Sequence, residues 1–290
     1  LRAYQAQVAG AILRSVVGHC GLTFAVLMSR QAGKNETSAH LEALLLTLFY
    51  SSGGWLVKAS PTFQPQTVNS ILRLEVRLEN PWARDRWQRE RGYIVRLGQA
   101  RAAFFSAQPG VSVVGATASI LLEADEAQDI SEEKWNKDFR PMGAATNVTT
   151  VLWGTAWTPD TLLARTVRAL RRQEAQDGRR VFVVPWQDVA AEVPAYRAYV
   201  ESEIARLGPT HPTLRTPYAL EDVDSLAPMF PPSRQALMRG DHLAHPAPEP
   251  GSVYALTLDV AGVAGEGESR PADPDARDCT ACTLFEVRVA

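Results

Sequence analysis

Ser29-Arg30-Gln31-Ala32-Gly33-Lys34-Asn35-Glu36 follows a short, nearly all-apolar run, Leu22 to Met28, and precedes a helical stretch that reaches Tyr50. A turn in that position aims backbone N–H groups and a helix dipole at one point, where a phosphate group is held well. Lys34 adds a full charge for β and γ phosphates, and Arg30 offers a forked cation to the equatorial oxygens of a transferring phosphoryl group. The octapeptide departs twice from the G-x-x-x-x-G-K-[ST] pattern: Met28 stands at the first glycine, and Asn35 stands at the hydroxyl residue that meets Mg²⁺. By itself it is equally well an ordinary Gly-Lys turn before a helix.

A second stretch answers it. Ile120-Leu121-Leu122-Glu123-Ala124-Asp125-Glu126-Ala127-Gln128 ends an apolar strand in two adjacent carboxylates. Hydrolysis of a nucleoside triphosphate needs one carboxylate near the metal and one to polarise the attacking water, roles that suit Asp125 and Glu126 respectively. A solvated acidic loop is the plainer alternative, and Glu123 inside the strand favours it, because a strand covered on both faces has no obvious place for a charge. Pairing with the Lys34 loop favours the catalytic alternative. A third stretch, Val151-Leu152-Trp153-Gly154-Thr155-Ala156, sets the hydroxyl of Thr155 on a turn at the carboxyl edge of a sheet, where open α/β folds bind ligands and where it could sense a γ-phosphate.

These groups must be positioned by strands and helices in alternation. Val8, Ala11, Ile12, Val16 and Val17 mark a helix within residues 1–20. Strands are expected at Leu22–Met28, Trp55–Ala59, Ala102–Ser106, Ser119–Ala124, Val148–Trp153 and Val181–Val184, with an arginine-rich helical region from Val68 to Arg91. That alternation predicts the α/β class: a core with a mostly parallel sheet covered on both faces, over residues 1–184. From Pro185 onward prolines interrupt short helices such as Ala195–Leu207, which reads as a lid or linker subdomain over 185–250. The clearest linker is His245-Pro246-Ala247-Pro248-Glu249-Pro250-Gly251, and a new strand, Val253–Val260, opens an incomplete domain over 251–290.

Composition narrows the class further. The chain has 290 residues with 30 basic and 32 acidic side chains, a net charge of -2, so any nucleic-acid contact must be local. All basic residues but Lys34, Lys58, Lys134 and Lys137 are arginines, a bias that forked phosphate contacts or a GC-rich genome would both produce. Cys20, Cys279 and Cys282 cannot form a disulfide framework, which points to a reducing compartment. The longest apolar stretch, Leu41 to Tyr50, is far short of the roughly 20 residues of a membrane span. A start at Leu1 without a charged-then-apolar leader reads as an internal piece of a longer chain. Cys279-x-x-Cys282 and His242-x-x-His245 lack further ligands nearby, and the clusters Arg84, Arg86, Arg89, Arg91 and Arg165, Arg168, Arg171, Arg172 read as solvated helix faces, the second better suited to a phosphate or a neighbouring subunit.

Taken together, the three stretches resemble the large terminase subunit, the ATPase-nuclease DNA-packaging motor of tailed double-stranded DNA bacteriophages and prophages. Ser-Arg-Gln-x-Gly-Lys-Asn-Glu is similar to that family's deviant phosphate loop, Leu-Leu-Glu-Ala-Asp-Glu-Ala-Gln to its acidic strand end, and Trp-Gly-Thr-Ala to its coupling motif. Tyr4-Gln5 is similar to the segment that reads adenine, and Val57-Lys58-Ala59-Ser60-Pro61-Thr62 with Gln64 and Gln66 to the family's next characteristic strand end.

The resemblance implies a P-loop NTPase core that binds ATP with Mg²⁺. Tyr4, Gln5 and the residues Ser29, Arg30, Gln31, Ala32, Gly33, Lys34, Asn35 and Glu36 would hold the nucleotide, Asp125 the metal, and Glu126, Arg30 and Thr155 would serve catalysis and coupling. Past the linker, Tyr254 to Gly262 resembles the first strand of the family's RNase H-like nuclease, where Asp259, and less firmly Asp278, would hold Mg²⁺ or Mn²⁺. Further acidic ligands are expected beyond Ala290, so residues 1–290 should not cut DNA alone. The family also implies double-stranded DNA, a portal protein and a small terminase subunit as partners, a homo-oligomeric ring in the active state with a monomer in isolation, and work in the host cytoplasm docked on a procapsid. The arginine that reaches a neighbour's ATP in the family has no counterpart in Gly110-Val111-Ser112-Val113-Val114-Gly115; Arg101 and Arg140 are the nearest. Two alternatives stay open: a helicase-like ATPase, and a nucleotide-binding module without turnover, which Met28, Asn35 and Glu123 favour.

Overall fold

We describe, in a computed structural model of the chain, residues 1–220 apart from 112, 114, 157, 159, 209 and 210, together with strand residues 253–259 and 281–287. The chain divides into two compact units, Leu1–Pro231 and Pro232–Ala290.

Helix α1 (Ala3–Val17) buries Tyr4, Val8, Ile12 and Val16, one stripe at helical spacing, and stops at Gly18. Strand β1 (Thr23–Met28) is apolar after Thr23 because both of its faces are covered. Phe24, Val26 and Met28 pack toward the side of α1, and Ala25 and Leu27 point to the opposite side. Helix α2 (Lys34–Leu48) begins directly at the lysine and leads to β2 (Gly54–Ser60) and α3 (Val68–Leu78).

Here the structure corrects the expected helix from Val68 to Arg91. Pro81 cannot continue a helix, and Asn80 turns the chain by accepting hydrogen bonds from the N–H groups of Trp82 and Ala83 at 3.1 and 3.0 Å. The chain then forms an antiparallel meander of β3 (Trp87–Glu90), β4 (Ile94–Leu97) and β5 (Ala100–Ser106). Arg91 and Gly92 both have positive φ, 52° and 78°, as a tight hairpin turn requires. The arginines of this region therefore occupy a turn and an edge ribbon, not one helix face. Arg89 pairs with Glu75 at 3.5 Å, and Arg86 stacks over Trp82 at 5.2 Å.

The remaining elements are β6 (Leu121–Ala124), the one-turn α4 (Glu132–Lys134), β7 (Thr149–Gly154), α5 (Leu162–Asp177), β8 (Val181–Val184), α6 (Trp186–Glu192), α7 (Pro194–Leu207) and α8 (Pro212–Arg215). The sheet has eight strands in the order β3-β4-β5-β2-β6-β7-β1-β8. From β5 to β8 all pairings are parallel, so the carboxyl ends of β1, β6 and β7 lie together on one edge. The α/β class and its mostly parallel sheet are thus as expected. Helices α1, α2 and α3 cover one face; α5 and the turns from Ile130 to Met142 cover the other.

In the second unit, β9 (Val253–Asp259) and β10 (Ala281–Val287) pair antiparallel, with Ala281 opposite Asp259. Asp278, Cys279, His242, His245 and the proline-rich segment 245–251 lie outside the described residues. No helix among the described residues is long and apolar enough to cross a membrane.

Candidate active site

The loop after β1 is fastened from several sides. Ser29 N–H donates to Val184 O at 2.9 Å, Arg30 N–H to Pro217 O at 2.7 Å, and Ala32 N–H to Ser29 O at 3.0 Å. Gly33 has φ 85°, and a Cβ there would come 2.4 Å from Gln5 Nε2, so both conformation and space call for glycine. The first turn of α2 leaves the N–H groups of Lys34, Asn35 and Glu36 without intrahelical partners, the arrangement that receives an anion.

Tyr4 and Gln5 brace this loop from behind. Tyr4 Oη donates to Ala32 O at 3.0 Å, and Gln5 Nε2 donates to the carbonyls of Ala32 and Gly33, each at 3.3 Å. Both side chains are buried and stay outside the cleft lining. Their direct contacts are with the loop's carbonyl side. A second brace comes from α7, where Tyr196 Oη donates to Arg30 O at 2.8 Å and lies 3.2 Å from Ser29 Oγ.

A cleft of about 890 Å³ opens over the loop, a size suited to a nucleotide. Its walls include all of Met28 to Glu36, with Glu126 and Gln128 after β6, Thr155 after β7, Gln66 and Arg73 from the α3 side, and Thr216 and Pro217. Lys34 Nζ sits 2.5 Å from Glu126 Oε1 and 3.6 Å from Asp125 Oδ1. Three groups from two separate stretches of sequence thus converge on one point.

Asp125 is fully buried. Burial works against its charge, but Lys34, Lys58 and the N–H of Glu126 at 3.0 Å hold the carboxyl below its ordinary range. Beside Lys34, Asn35 Oδ1 is a buried oxygen without a hydrogen-bond partner among the described residues. An ionised carboxylate and an orphaned amide oxygen near Lys34 fit Mg²⁺, which takes one or two protein oxygens and completes its shell with phosphates and water. Asn35 can therefore stand in for the missing hydroxyl residue.

Glu126 adopts a left-handed conformation, φ 47° and ψ 50°, rare for a residue of its type and characteristic of strained functional positions. Its Oε2 accepts from Gln128 Nε2 at 2.9 Å. The other end of the same amide, Gln128 Oε1, accepts the backbone N–H of Thr155 at 3.3 Å. Gln128 thus bridges the acidic strand end to the Gly-Thr turn. Gly154 permits the bridge, since a Cβ there would lie 2.3 Å from Gln128 Oε1. Sequence reasoning quoted Gln128 without a role; its signal was the glycine opposite, which has no meaning until β6 and β7 are paired.

Glu36 lines the cleft but is engaged by three basic side chains: His40 at 3.3 Å, Arg77 at 3.4 Å and Arg73 at 3.8 Å. It is a counter-charge in the wall, not a direct phosphate ligand, whose like charge it would repel. Arg101 stacks on Trp55 near the start of β5, and Arg140 lines a separate groove with Gly21, Asn147 and Thr150. Both stand toward the amino ends of the parallel strands, away from the cleft.

Glu123 overturns the expectation that a charge inside β6 argues against a buried strand. It is fully buried, together with Lys58 from β2 and Ser38 and Glu42 from α2. Lys58 Nζ lies 2.9 Å from Glu42 Oε1 and 2.8 Å from Ser38 Oγ; Ser38 Oγ lies 2.9 Å from Glu123 Oε1, which also accepts Trp153 Nε1–H at 2.7 Å. Burial pushes the Glu123 carboxyl up to about 8, against the pull of Lys58 and with the push of Glu42. Burial works against the Lys58 charge too, but Glu42, Glu123 and Asp125 outweigh it and hold the ammonium protonated. Near neutral pH Glu123 holds its proton, and the Lys58 ammonium stays charged beside Glu42.

A pH dependence follows. The proton on Glu123 stabilises the fold fully below the ordinary 4.5 of an exposed carboxyl, and that contribution is lost as pH rises through about 8. Glu123→Gln keeps the protonated pattern at every pH. Its stability relative to the parent should therefore rise by about 3 kcal/mol between about pH 5 and pH 8 in thermal unfolding. A difference that stays flat across that range would refute a protonated Glu123.

The sequence matches no protein-family model and no curated protein. Its fold is nevertheless similar to solved structures. The large terminase of bacteriophage HK97 aligns over 99% of this chain and 63% of its own, with a TM-score of 0.60 at 14% identity. The large terminase of a thermophilic bacteriophage, in complex with ADP, aligns over 76% of this chain and 53% of its own, at TM-score 0.55 and 14% identity. The same protein in complex with ATP-gamma-S gives TM-score 0.53 at 13% identity, over 76% and 52%. The chain therefore spans less than two thirds of the length of these proteins, and the likeness is one of fold.

Proposed function

We propose that the chain is the ATPase part of a phage large terminase, hydrolysing ATP to drive double-stranded DNA into a procapsid. One observation carries the reading: Lys34 of the β1–α2 loop forms an ion pair with Glu126 of the β6 strand end, beside Asp125, on the floor of a nucleotide-sized cleft. The complexes of the thermophilic phage's terminase with ADP and ATP-gamma-S support nucleotide as the ligand of this fold.

The chemistry follows from the groups in place. Lys34 leaves Glu126 for the β and γ phosphates, which offer more negative charge than one carboxylate. Glu126, still held by Gln128, then turns its free oxygen to the attacking water. The water oxygen bonds to the γ-phosphorus as the bond from γ-phosphorus to the bridging oxygen breaks, ADP departs, and the water's proton passes toward Glu126 and solvent. Asp125 and Asn35 would hold Mg²⁺, which would neutralise charge on the phosphates. Arg30 would add a second cation, and Gln128 carries any shift of Glu126 to the backbone of Thr155, a route for coupling.

The same reading supplies the partners: a portal, a small terminase subunit, DNA, and other copies of the chain in a ring on the procapsid in host cytoplasm. Endonuclease activity would belong to a longer parent chain, with Asp259 at the end of β9 and Asp278 among its metal ligands.

Titration with ATP tests the nucleotide assignment. Lys34→Ala should weaken ATP binding about 30-fold, because charge-assisted hydrogen bonds to phosphate disappear. Unchanged affinity would remove the assignment of this loop.

A further inference from the structure

We infer that Arg73 is a further catalytic residue, a cation that contacts the terminal phosphate of bound triphosphate from the α3 side of the cleft. The inference rests on the nucleotide reading above and adds a group that neither motif pattern nor family resemblance assigned.

The first observation is place. Helix α3 sets Ser70 Oγ 3.5 Å from Asp125 Oδ2, on the metal side of the site, and Arg73 stands one turn further along. Its side chain lines the same cleft as Lys34, Glu126, Gln128 and Thr155. Arg30 and Arg73 thus approach from two sides, one from the loop and one from the helix.

The second observation is charge. Arg73 is half exposed, and its ion pair with Glu36 Oε2 is 3.8 Å long, beyond hydrogen-bonding distance. Glu36 is already shared with Arg77 at 3.4 Å and His40 at 3.3 Å. One carboxylate cannot neutralise two guanidinium groups, and of the two it is Arg73, not Arg77, that lines the cleft. The guanidinium makes no hydrogen bond among the described residues, so its forked donors are available.

When a triphosphate binds, Arg73 exchanges the long contact with Glu36 for the equatorial oxygens of the terminal phosphate, and Arg77 keeps Glu36. Arg73 changes no covalent bond; it stabilises charge that spreads over those oxygens as the phosphoryl group transfers. A diphosphate lacks the terminal phosphate and so forgoes that contact.

The experiment compares ATP-gamma-S and ADP affinities and ATP turnover in Arg73→Ala, Arg73→Lys, Arg77→Ala and Lys34→Ala. Arg73→Ala should bind ATP-gamma-S roughly tenfold more weakly and ADP as before, with kcat down about 100-fold. Arg73→Lys, which keeps the charge and the stem without the fork, should recover affinity more than kcat. Arg77→Ala should leave both affinities within about twofold. Equal losses for the two nucleotides in Arg73→Ala, or no loss for either, would overturn the inference. If Lys34→Ala also bound both nucleotides normally, the nucleotide reading itself would fall; if only Lys34→Ala lost binding, the role of Arg73 alone would fall.

Discussion

Glu126→Gln should lower ATP turnover by about 1,000-fold while ATP affinity holds or rises. The two effects have one cause. Glu126 is the carboxylate placed to polarise water, so its amide counterpart cannot take the proton. Yet Glu126 is also the group that holds Lys34, at 2.5 Å. The pair lacks hydrogen-bond alignment, and the ammonium has no hydrogen-bond partner among the described residues. Incoming phosphate must displace that contact, and a neutral amide gives it up at less cost. Phosphate release and nucleotide titration on the same preparation check both halves. A variant that lost affinity along with turnover would show Glu126 acting as a binding residue instead.

Lys58→Met should be the most damaging single change to stability, at about 3–5 kcal/mol. Methionine roughly fills the space of the lysine stem but removes the cation touching Glu42 and Ser38. The two buried carboxyls, Glu42 and Glu123, would then share a site with no compensating charge, and burial in that state is costly. For a unit of this size the midpoint of thermal unfolding should fall by roughly 8–15 °C. Adding Glu42→Gln to the variant should recover part of the loss, because it removes the charge that Lys58 compensated. An unfolding midpoint within a few degrees of the parent would mean that water, and not Lys58, satisfies the cluster.

The features that were legible in sequence are those whose partners lie nearby in the chain. Lys34 follows an apolar strand and opens a helix; Asp125 and Glu126 end another strand; both patterns are local, and both stand where expected. Groups that matter through distant partners were not legible. Glu123 looks out of place in the sequence because Ser38 and Trp153, which donate to it, and Lys58, whose charge sits nearby, come from three other elements. Gln128 gains its meaning only from Thr155 across the sheet edge, and Arg73 only from the cleft it faces. Tyr4 and Gln5 were found as a pair, but their partners are the carbonyls of Ala32 and Gly33, which no side-chain pattern announces.

The segment Val68 to Arg91 failed for a different reason. Its arginines suggest one helical face, whereas Asn80-Pro81 ends the helix and Trp87 to Glu90 pairs antiparallel with Ile94 to Leu97, with Arg91-Gly92 closing a hairpin. Turn chemistry decided the matter over periodicity.

That the cleft over Lys34 turns ATP over is tested most directly by phosphate release from ATP in the presence and absence of Mg²⁺, across a range of protein concentrations. Release that requires Mg²⁺ is the predicted result, and a rise per molecule with concentration would show neighbouring copies contributing. Saturable ATP binding with no release at any concentration would contradict hydrolysis and leave a nucleotide-sensing module in its place.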